Sequence, residues 1–351
     1  MPGRSLLRYV ARTAIAGWLT VSSLFLISRA YTDSAAFLRS SLENSSRPLP
    51  AARRARLTQQ LLQRYGLDVP LFYITPDSAT TWRPSWRWNG VRNQYHRWLT
   101  RAVQGDLGTS YRDGSPVTEL LARSLLYTLP LTVLAAVCSI GLTWGIVVWM
   151  NVRPSWRSMG LLSLHGLQAA PLFLTATTLL LLLANPDVLA WFPAFGLGLE
   201  DLEASWWQQP GRLLYFLVLP TLSLVLVTLP GLAVQLDGAL QQELHRPYIA
   251  TARAKGSSVS RVVWHHGLRN ALLPTLALLT ELLPNLVAGS TVVELLFALP
   301  GMGRLLAESA ATQDYPVLIG AIGLVALVRL LAQVVADILY WVVDPRIRVQ
   351  V

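Results

Sequence analysis

Long apolar stretches, separated by polar ones, set the pattern of this 351-residue chain. A helix needs roughly 20 apolar residues to cross about 30 Å of bilayer hydrocarbon. The stretches that meet this length are residues 10–30, 124–150, 159–184, 213–234, 273–298 and 316–342. The pattern predicts an all-α, polytopic membrane protein with six transmembrane helices and a large polar loop after the first.

Several of these stretches carry residues that refine the prediction. Arg29 and Tyr31 follow the first stretch at the place where a signal peptide would need small residues for cleavage. We therefore expect residues 10–30 to remain as an uncleaved span. Prolines lie in or near three of the stretches and each removes a helical hydrogen bond, which fits either a mobile, cavity-lining bundle or simple packing kinks. They are Pro171 in the third, Pro220 and Pro230 in the fourth, and Pro274 and Pro284 near and inside the fifth.

Composition agrees with a membrane protein and excludes several other classes. Hydrophobic residues make up 53% of the chain and charged residues only 14%, which is too apolar for an ordinary soluble domain. The net charge of +10 lies mostly in loops, so anionic lipid explains it better than nucleic acid does. The single cysteine, Cys138, rules out a disulfide framework within the chain, and the five histidines form no HExxH motif.

Basic residues in the short loops predict the orientation of the spans, because such loops stay on the cytoplasmic side. These residues are Arg4, Arg8 and Arg12 near the N-terminus, Arg153 and Arg157 in loop 151–158, and Arg346 and Arg348 in the C-terminal tail. The acidic residues of loop 185–212 fit the outside, and they are Asp187, Glu200, Asp201 and Glu203. Both termini are predicted to be cytoplasmic, and loop 31–123 to be extracytoplasmic.

The basic loop at 246–274 has the pattern of two helices joined by a sharp turn. Residues 248–255 favour a helix that ends at Gly256, where a residue without Cβ can adopt a left-handed conformation. Ser257 or Ser258 can then cap a second short helix. The apolar side of that helix carries Val259, Val262, Val263 and Leu268. We call the segment 243–272 the elbow.

Two interpretations of the elbow come from the residues. A basic amphipathic stretch can lie on lipid headgroups. However, its motifs TARAKG (251–256) and RVVWHHGLRNALLP (261–274) resemble the cytoplasmic EAA coupling loop of binding-protein-dependent ABC importer permeases, in the dipeptide, oligopeptide and nickel branch. One departure is that the branch usually has a basic residue before the second-helix histidine, where this chain has His265 and His266.

Further matches to the same branch occur in the expected order along the chain. Segment 65–71 and segment 94–135, which contains the GDLG turn at 105–108, resemble its extracytoplasmic region and second span. Segments 290–320 and 336–348 resemble its last two spans. The positions that match there are Glu294, Pro300, Gly301, Gly303, Asp314, Tyr315, Pro316, Asp337, Asp344, Pro345 and Arg346.

The resemblance implies the fold of type I ABC importer permeases. Residues 1–30 would form the N-terminal tail and first span, residues 31–123 the extracytoplasmic region, and residues 124–348 a five-helix core that contains the elbow. The Trp- and Arg-rich insert at 75–93 departs from the branch. Its tryptophans, Trp82, Trp86 and Trp88, fit either an interfacial aromatic belt or a binding surface.

The resemblance also implies a non-catalytic permease subunit driven by others. This chain lacks a GxxxxGK[ST] motif, so we expect it to bind no cofactor and ATP with Mg²⁺ to reside in two partner ATPase subunits. The other expected partners are a second permease, an extracytoplasmic solute-binding protein and the inner membrane. The residues expected to couple to the ATPase are Tyr248, Thr251, Ala252, Arg253, Ala254, Lys255, Gly256, Ser257, Val262, His266, Arg269 and Asn270.

Two of the charges inside predicted spans stand out, because a charge there costs roughly 2.5 to 3.5 kcal/mol on insertion scales. Glu281 lies in the fifth span and Arg329 in the sixth, at similar depth when each residue rises about 1.5 Å. We expect a structural ion pair, with separate contacts along a translocation path as the alternative. For the chain as a whole, the alternative function is a membrane anchor or an intramembrane enzyme, although it shows no GxSxG or HExxH motif.

Overall fold

The computed structural model describes residues 3–31, 56, 59–60, 63, 68–76, 86–193 and 210–343. The described chain is mainly helical and divides into two units. The first comprises Met1–Ala11, Ala122–Glu308 and Leu324–Val351, and the second comprises Arg12–Leu121 and Ser309–Gly323.

Helices lie in the apolar stretches that the sequence predicts as spans. A helix suits such a stretch because it satisfies the backbone hydrogen bonds within the stretch itself. In chain order they are α1 (Gly3–Tyr31), α2 (Gln94–Val103), α3 (Val117–Val152), α4 (Pro154–Gln168), α5 (Leu172–Leu179), α6 (Pro210–Leu244), α7 (Pro247–Ala254), α8 (Val259–Arg261), α9 (Arg269–Leu296), α10 (Met302–Ala311) and α11 (Tyr315–Val343). Two π-helical segments, Leu180–Ala184 and Val262–Leu268, extend α5 and join α8 to α9. Among the described residues, α3 and α6 are long and apolar enough to cross a membrane.

The third predicted span is not one straight helix. Two helical segments, Pro154–Gln168 and Leu172–Ala184, meet at an angle of 97°. Pro171 is the N-cap of α5 with φ −63° and ψ 146°, an extended conformation that ends α4. Since proline has no N–H to donate and restricts the residue before it, the helix breaks here instead of merely kinking. The stretch 159–184, which was predicted as one span with a kink at Pro171, is therefore divided into two helical segments at that proline.

The core of the first unit is a large cluster of aliphatic side chains between α3, α4, α5, α6 and α9. Its fully buried members include Leu131, Leu217, Leu236, Leu240 and Leu286. Helices α6 and α9 pack directly on each other, and α4 and α5 both pack on α6. Helix α6 is thus the central element of this unit, and the elbow follows directly from its end.

A tight turn after α9 is organised by Glu294, which is fully buried. Its carboxylate accepts hydrogen bonds from Thr128 Oγ1 (2.7 Å) and from the backbone N–H of Gly303 (2.7 Å) and Arg304 (3.1 Å). The N–H groups belong to the first turn of α10, where a negative charge is favoured by the helix dipole. A Cβ on Gly301 would collide with this carboxylate, so the turn requires glycine there.

The second unit contains a short antiparallel hairpin and an aromatic cluster. Strands β1 (Ile74–Pro76) and β2 (Trp86–Trp88) pair with Ile74 opposite Trp88. Trp86 and Trp88 are 67% and 69% exposed. The insert therefore has regular structure at its two ends, which its sequence does not indicate. The sequence of residues 43–66 also predicts a loop and then a short amphipathic helix with Leu57, Leu61 and Leu62 on one side. That segment lies largely outside the described residues.

The GDLG turn belongs to the second unit and lies in the segment between α2 and α3. Gly105 and Gly108 both have positive φ angles, 83° and 88°, which explains the need for glycine. After this turn, Ser110 Oγ donates to Asp314 Oδ2 (2.5 Å), and Tyr111 N–H donates to Asp314 Oδ1 (3.1 Å). Asp314 thereby ties this segment to the start of α11.

Candidate functional site

The elbow has the turn that its sequence predicts. Helix α7 ends at Ala254, Lys255 is its C-cap, and Gly256 has φ +82°. The N–H of Gly256 donates to Arg253 O (2.9 Å), and the N–H of Ser257 donates to Ala252 O (3.2 Å). These two bonds are those of a Schellman motif, which satisfies the last carbonyls of a helix and reverses the chain. The predicted left-handed conformation of Gly256 after α7 is confirmed.

The second half of the elbow begins at Ser258 but is not a short separate helix. Ser258 Oγ accepts from the N–H of Arg261 and so acts as the N-cap. From Val259 the helical backbone continues through the π-helical segment Val262–Leu268 into α9, whose last residue is Leu296. The expectation of a short second helix was wrong. A displacement of the elbow would therefore act directly on α9.

Burial separates the inner face of the elbow from its outer face. Val262, Val263 and Leu268 are buried as predicted, whereas Val259 is 53% exposed and does not belong to the apolar side. Ile249 is also buried and holds α7 against the rest of the unit. The exposed candidates for coupling are Tyr248, Thr251, Arg253, Ala254, Lys255, Gly256 and Arg269; the half-buried ones are Ala252, Ser257, His266 and Asn270.

Tyr248 connects three parts of the elbow. Its hydroxyl donates to Glu243 Oε2 at the end of α6 (2.7 Å) and accepts from Asn270 Nδ2 in α9 (2.9 Å). Partial burial, followed by the hydrogen bond to Glu243, raises the pKa of Tyr248, so the phenol stays protonated and keeps its donor at neutral pH. Glu243 lies in the elbow segment but was not among the predicted coupling residues. Its hydrogen bond to Tyr248 is known only from the structure.

Gly267 brings the two helices that flank the elbow into close contact. A Cβ at Gly267 would lie 2.8 Å from Leu240 Cδ1 and 3.1 Å from Leu244 Cδ2, both on α6. Leu240 is fully buried, so it has little room to move away. The elbow therefore connects two helices that already touch at its base.

A buried polar network lies on α6, one to two helical turns before the end of this helix at Leu244. Asp237 is 2% exposed, and its carboxylate accepts from Arg157 (2.7 Å) and from Asn151 Nδ2 (2.7 Å). Gln241 Nε2 donates in turn to Asn151 Oδ1. The network connects α3, α4 and α6, and it compensates the cost of burying the Asp237 charge. Sequence reasoning placed Arg157 in a basic loop but did not identify its partner.

The predicted Glu281 and Arg329 pair is only partly covered by the structure. The backbone of Glu281 lies within α9, but its side chain is outside the described residues. Arg329 lies in α11, and its side chain is exposed. The ion pair stays a prediction. Glu294, which was matched only by resemblance, is a buried carboxylate with described donors.

Comparisons with known proteins identify relatives of this chain. Residues 124–349 match the family described as binding-protein-dependent transport system inner membrane component. The chain is 33% identical to the oligopeptide transport system permease protein AppB of Bacillus subtilis over 82% of this chain and 84% of the relative. It is also 33% identical to the glutathione transport system permease protein GsiC of Escherichia coli, over 84% of this chain and 85% of the relative. It is 34% identical to the oligopeptide transport system permease protein OppB of Haemophilus influenzae, over 73% of this chain and 80% of the relative.

The close contact at Gly267 generates a stability prediction. Gly267→Val should lower the free energy of unfolding by about 1 to 3 kcal/mol, because the added side chain overpacks the contact with Leu240 and Leu244. The matched control is Gly166→Val, at a helical glycine of α4 with open space around a Cβ. Thermal unfolding of the purified protein should show a lower midpoint only for the first variant. Equal midpoints would contradict the packing account.

Proposed function

The chain belongs to the family of binding-protein-dependent transport system inner membrane components, and from this premise we propose that it lines, with a second homologous permease, the path of an ATP-driven peptide importer. As a permease component it is not itself catalytic. Peptide is proposed as the substrate because AppB and OppB are named as oligopeptide permeases and GsiC as a permease for glutathione, itself a small peptide. Related small solutes such as nickel chelates are the alternative cargo.

The proposed complex contains two ATPase subunits, which hold ATP and Mg²⁺, and an extracytoplasmic solute-binding protein. The elbow is the proposed docking element for an ATPase subunit. Its exposed face, from Tyr248 to Gly256, is available to a partner, while Ile249 and Val262 anchor its inner face. A rigid turn with an anchored base can pass on a displacement without bending.

The proposed mechanism is alternating access driven from the cytoplasmic side. Closure of the ATPase pair on nucleotide would move the elbow, and α6 and α9 would move with it because both are continuous with the elbow. The single observation that carries this proposal is the unbroken helical path from Val259 to Leu296. Such a path converts a small displacement at one end into a movement of the whole helix.

We propose an inner-membrane protein with six spans and cytoplasmic termini. The described helices α3 and α6 and the bent pair of α4 and α5 supply candidates by length and composition. Helices α1, α9 and α11 contain shorter apolar segments, at Ala14–Ile27, Asn285–Leu296 and Tyr315–Leu331. The basic residues of the short loops support the orientation. In this arrangement the elbow is cytoplasmic and the hairpin of β1 and β2 is extracytoplasmic.

Substitution of the turn residue tests the coupling function. Gly256→Pro cannot adopt φ +82° and loses the N–H that bonds Arg253, so the Schellman turn should not form. We expect normal membrane insertion, loss of ATPase co-purification and at least tenfold slower peptide uptake in proteoliposomes. The assay measures uptake with the cognate binding protein and ATP.

The matched control for that variant is Gly114→Pro. Gly114 also has a positive φ, 75°, and its N–H donates to Ser110 O, but it lies in the extracytoplasmic segment. This variant should retain ATPase co-purification. Normal ATP-driven uptake by Gly256→Pro would argue against a coupling role for the elbow.

We also propose the ion pair between Glu281 and Arg329. Replacing one partner alone should destabilise the protein by roughly 3 to 5 kcal/mol if the other charge remains buried. Glu281→Leu and Arg329→Met should each lower the amount of folded protein in the membrane, and the double variant should restore it. Failure of the double variant to recover expression would count against the pair.

A further inference from the structure

The second unit contains a polar cavity that the proposed transport function does not use. Its volume is about 280 Å³, and it lies between the C-terminal end of α1, helix α2, the GDLG turn and the start of α11. The residues central to its chemistry are Arg29, Gln94, Arg97, Trp98, Arg101 and Asp106. All of them belong to the same unit.

The charge of the cavity is positive. Three arginines, Arg29, Arg97 and Arg101, line it against one carboxylate, Asp106. Asp106 Oδ1 is engaged by the N–H of Gly108 (2.8 Å). Within the described part of the chain, none of the three guanidinium groups forms an ion pair. Guanidinium groups recognise phosphate and carboxylate oxygens through paired N–H donors, so the cavity suits an anionic group.

Two buried polar atoms of the cavity residues lack partners within the described part of the chain. Arg29 Nε has no acceptor, and Gln94 Oε1 has no donor. Buried polar atoms in proteins are nearly always hydrogen-bonded, so each such atom requires an explanation. A ligand that reached both atoms would need acceptor oxygens for Arg29 and also a donor for Gln94, such as a hydroxyl or an ammonium group.

The size and apolar wall of the cavity favour a lipid headgroup over a peptide. The volume falls at the lower limit of pockets for small molecules, which is too small to enclose an oligopeptide. Phe25 and Trp98 stack at 4.7 Å beside Arg29, and Ile319 of α11 completes the wall. Ile27, on the same turn of α1 as Arg29, is 55% exposed. Basic groups next to an apolar helix surface are suited to a phospholipid.

We propose that this cavity binds the phosphate ester of a phospholipid headgroup in the outer leaflet, with phosphatidylglycerol as the preferred ligand. The arginines bind the phosphate oxygens, and a glycerol hydroxyl donates to Gln94 Oε1. The assignment to the outer leaflet rests on the orientation given under the proposed function. The lipid anchors the end of α1 and the GDLG turn to the membrane surface.

Native mass spectrometry of the complete importer complex in detergent tests the proposal. Phosphatidylglycerol is titrated into the unmodified complex and into the double variant Arg97→Gln/Arg101→Gln, both of whose sites are exposed. The apparent Kd should rise at least tenfold in this variant. The control Arg92→Gln/Arg112→Gln removes the same charge from exposed arginines outside the cavity and should change the Kd less than twofold. No ATP is present, so the result does not depend on transport.

Competing ligands distinguish the sources of the phosphate. Phosphatidylcholine, whose headgroup has no donor, should bind more weakly than phosphatidylglycerol, and millimolar inorganic phosphate should not displace the lipid. Displacement by inorganic phosphate would overturn the lipid assignment in favour of a free anion. Unchanged lipid binding together with weaker binding of the solute-binding protein in Arg97→Gln/Arg101→Gln would assign the cavity to an acidic side chain of that partner. Unchanged binding of every ligand would overturn the site.

Discussion

The candidate site depends on one constraint, the contact at Gly267 between α6 and the π-helical segment that leads into α9. Without a Cβ at this position, the two helices can approach closely enough for Leu240 and Leu244 to pack on the π-helical segment. The elbow is then a loop between two elements that already touch. Tyr248 strengthens this base by bonding to Glu243 at the end of α6 and to Asn270 in α9. In the proposed mechanism, a force applied to the exposed turn would act on this packed pair of helices.

The two buried carboxylates Asp237 and Glu294 of the first unit each accept hydrogen bonds from several donors. Asp237 receives a guanidinium and an amide near the elbow, and Glu294 receives a hydroxyl and two N–H groups at the turn before α10. Each carboxylate joins elements that are distant in sequence, because Arg157 is 80 residues from Asp237 and Thr128 is 166 from Glu294. These contacts cross-link the helices on which the α6 and α9 pair is supported. They also explain why polar residues are retained in such an apolar chain.

Local rules predicted the long helices and the turn at Gly256, but not the hairpin of β1 and β2 or the way the helices pair. Hydropathy predicted the six helical regions, and helix-capping chemistry predicted the turn at Gly256. The sequence identified Pro171 as a kink, but the 97° break depends on how α4 and α5 each pack on α6. Val259 was assigned to the buried face because its position fits an α-helical period, which the following π-helical segment changes. The partners of Asp237 and Glu294 could not be predicted, since they are set by tertiary packing between distant segments.

Site-specific photo-crosslinking tests the central claim, that the exposed elbow turn contacts a motor subunit. A photoreactive amino acid replaces Ala254, which is exposed at the end of α7, in cells that express the complete importer. The reference position is Val103, which is 80% exposed at the end of α2. Illumination should crosslink the chain to the ATPase subunit from position 254 and not from position 103. An ATPase adduct from position 103, or none from position 254 in an assembled complex, would contradict the account.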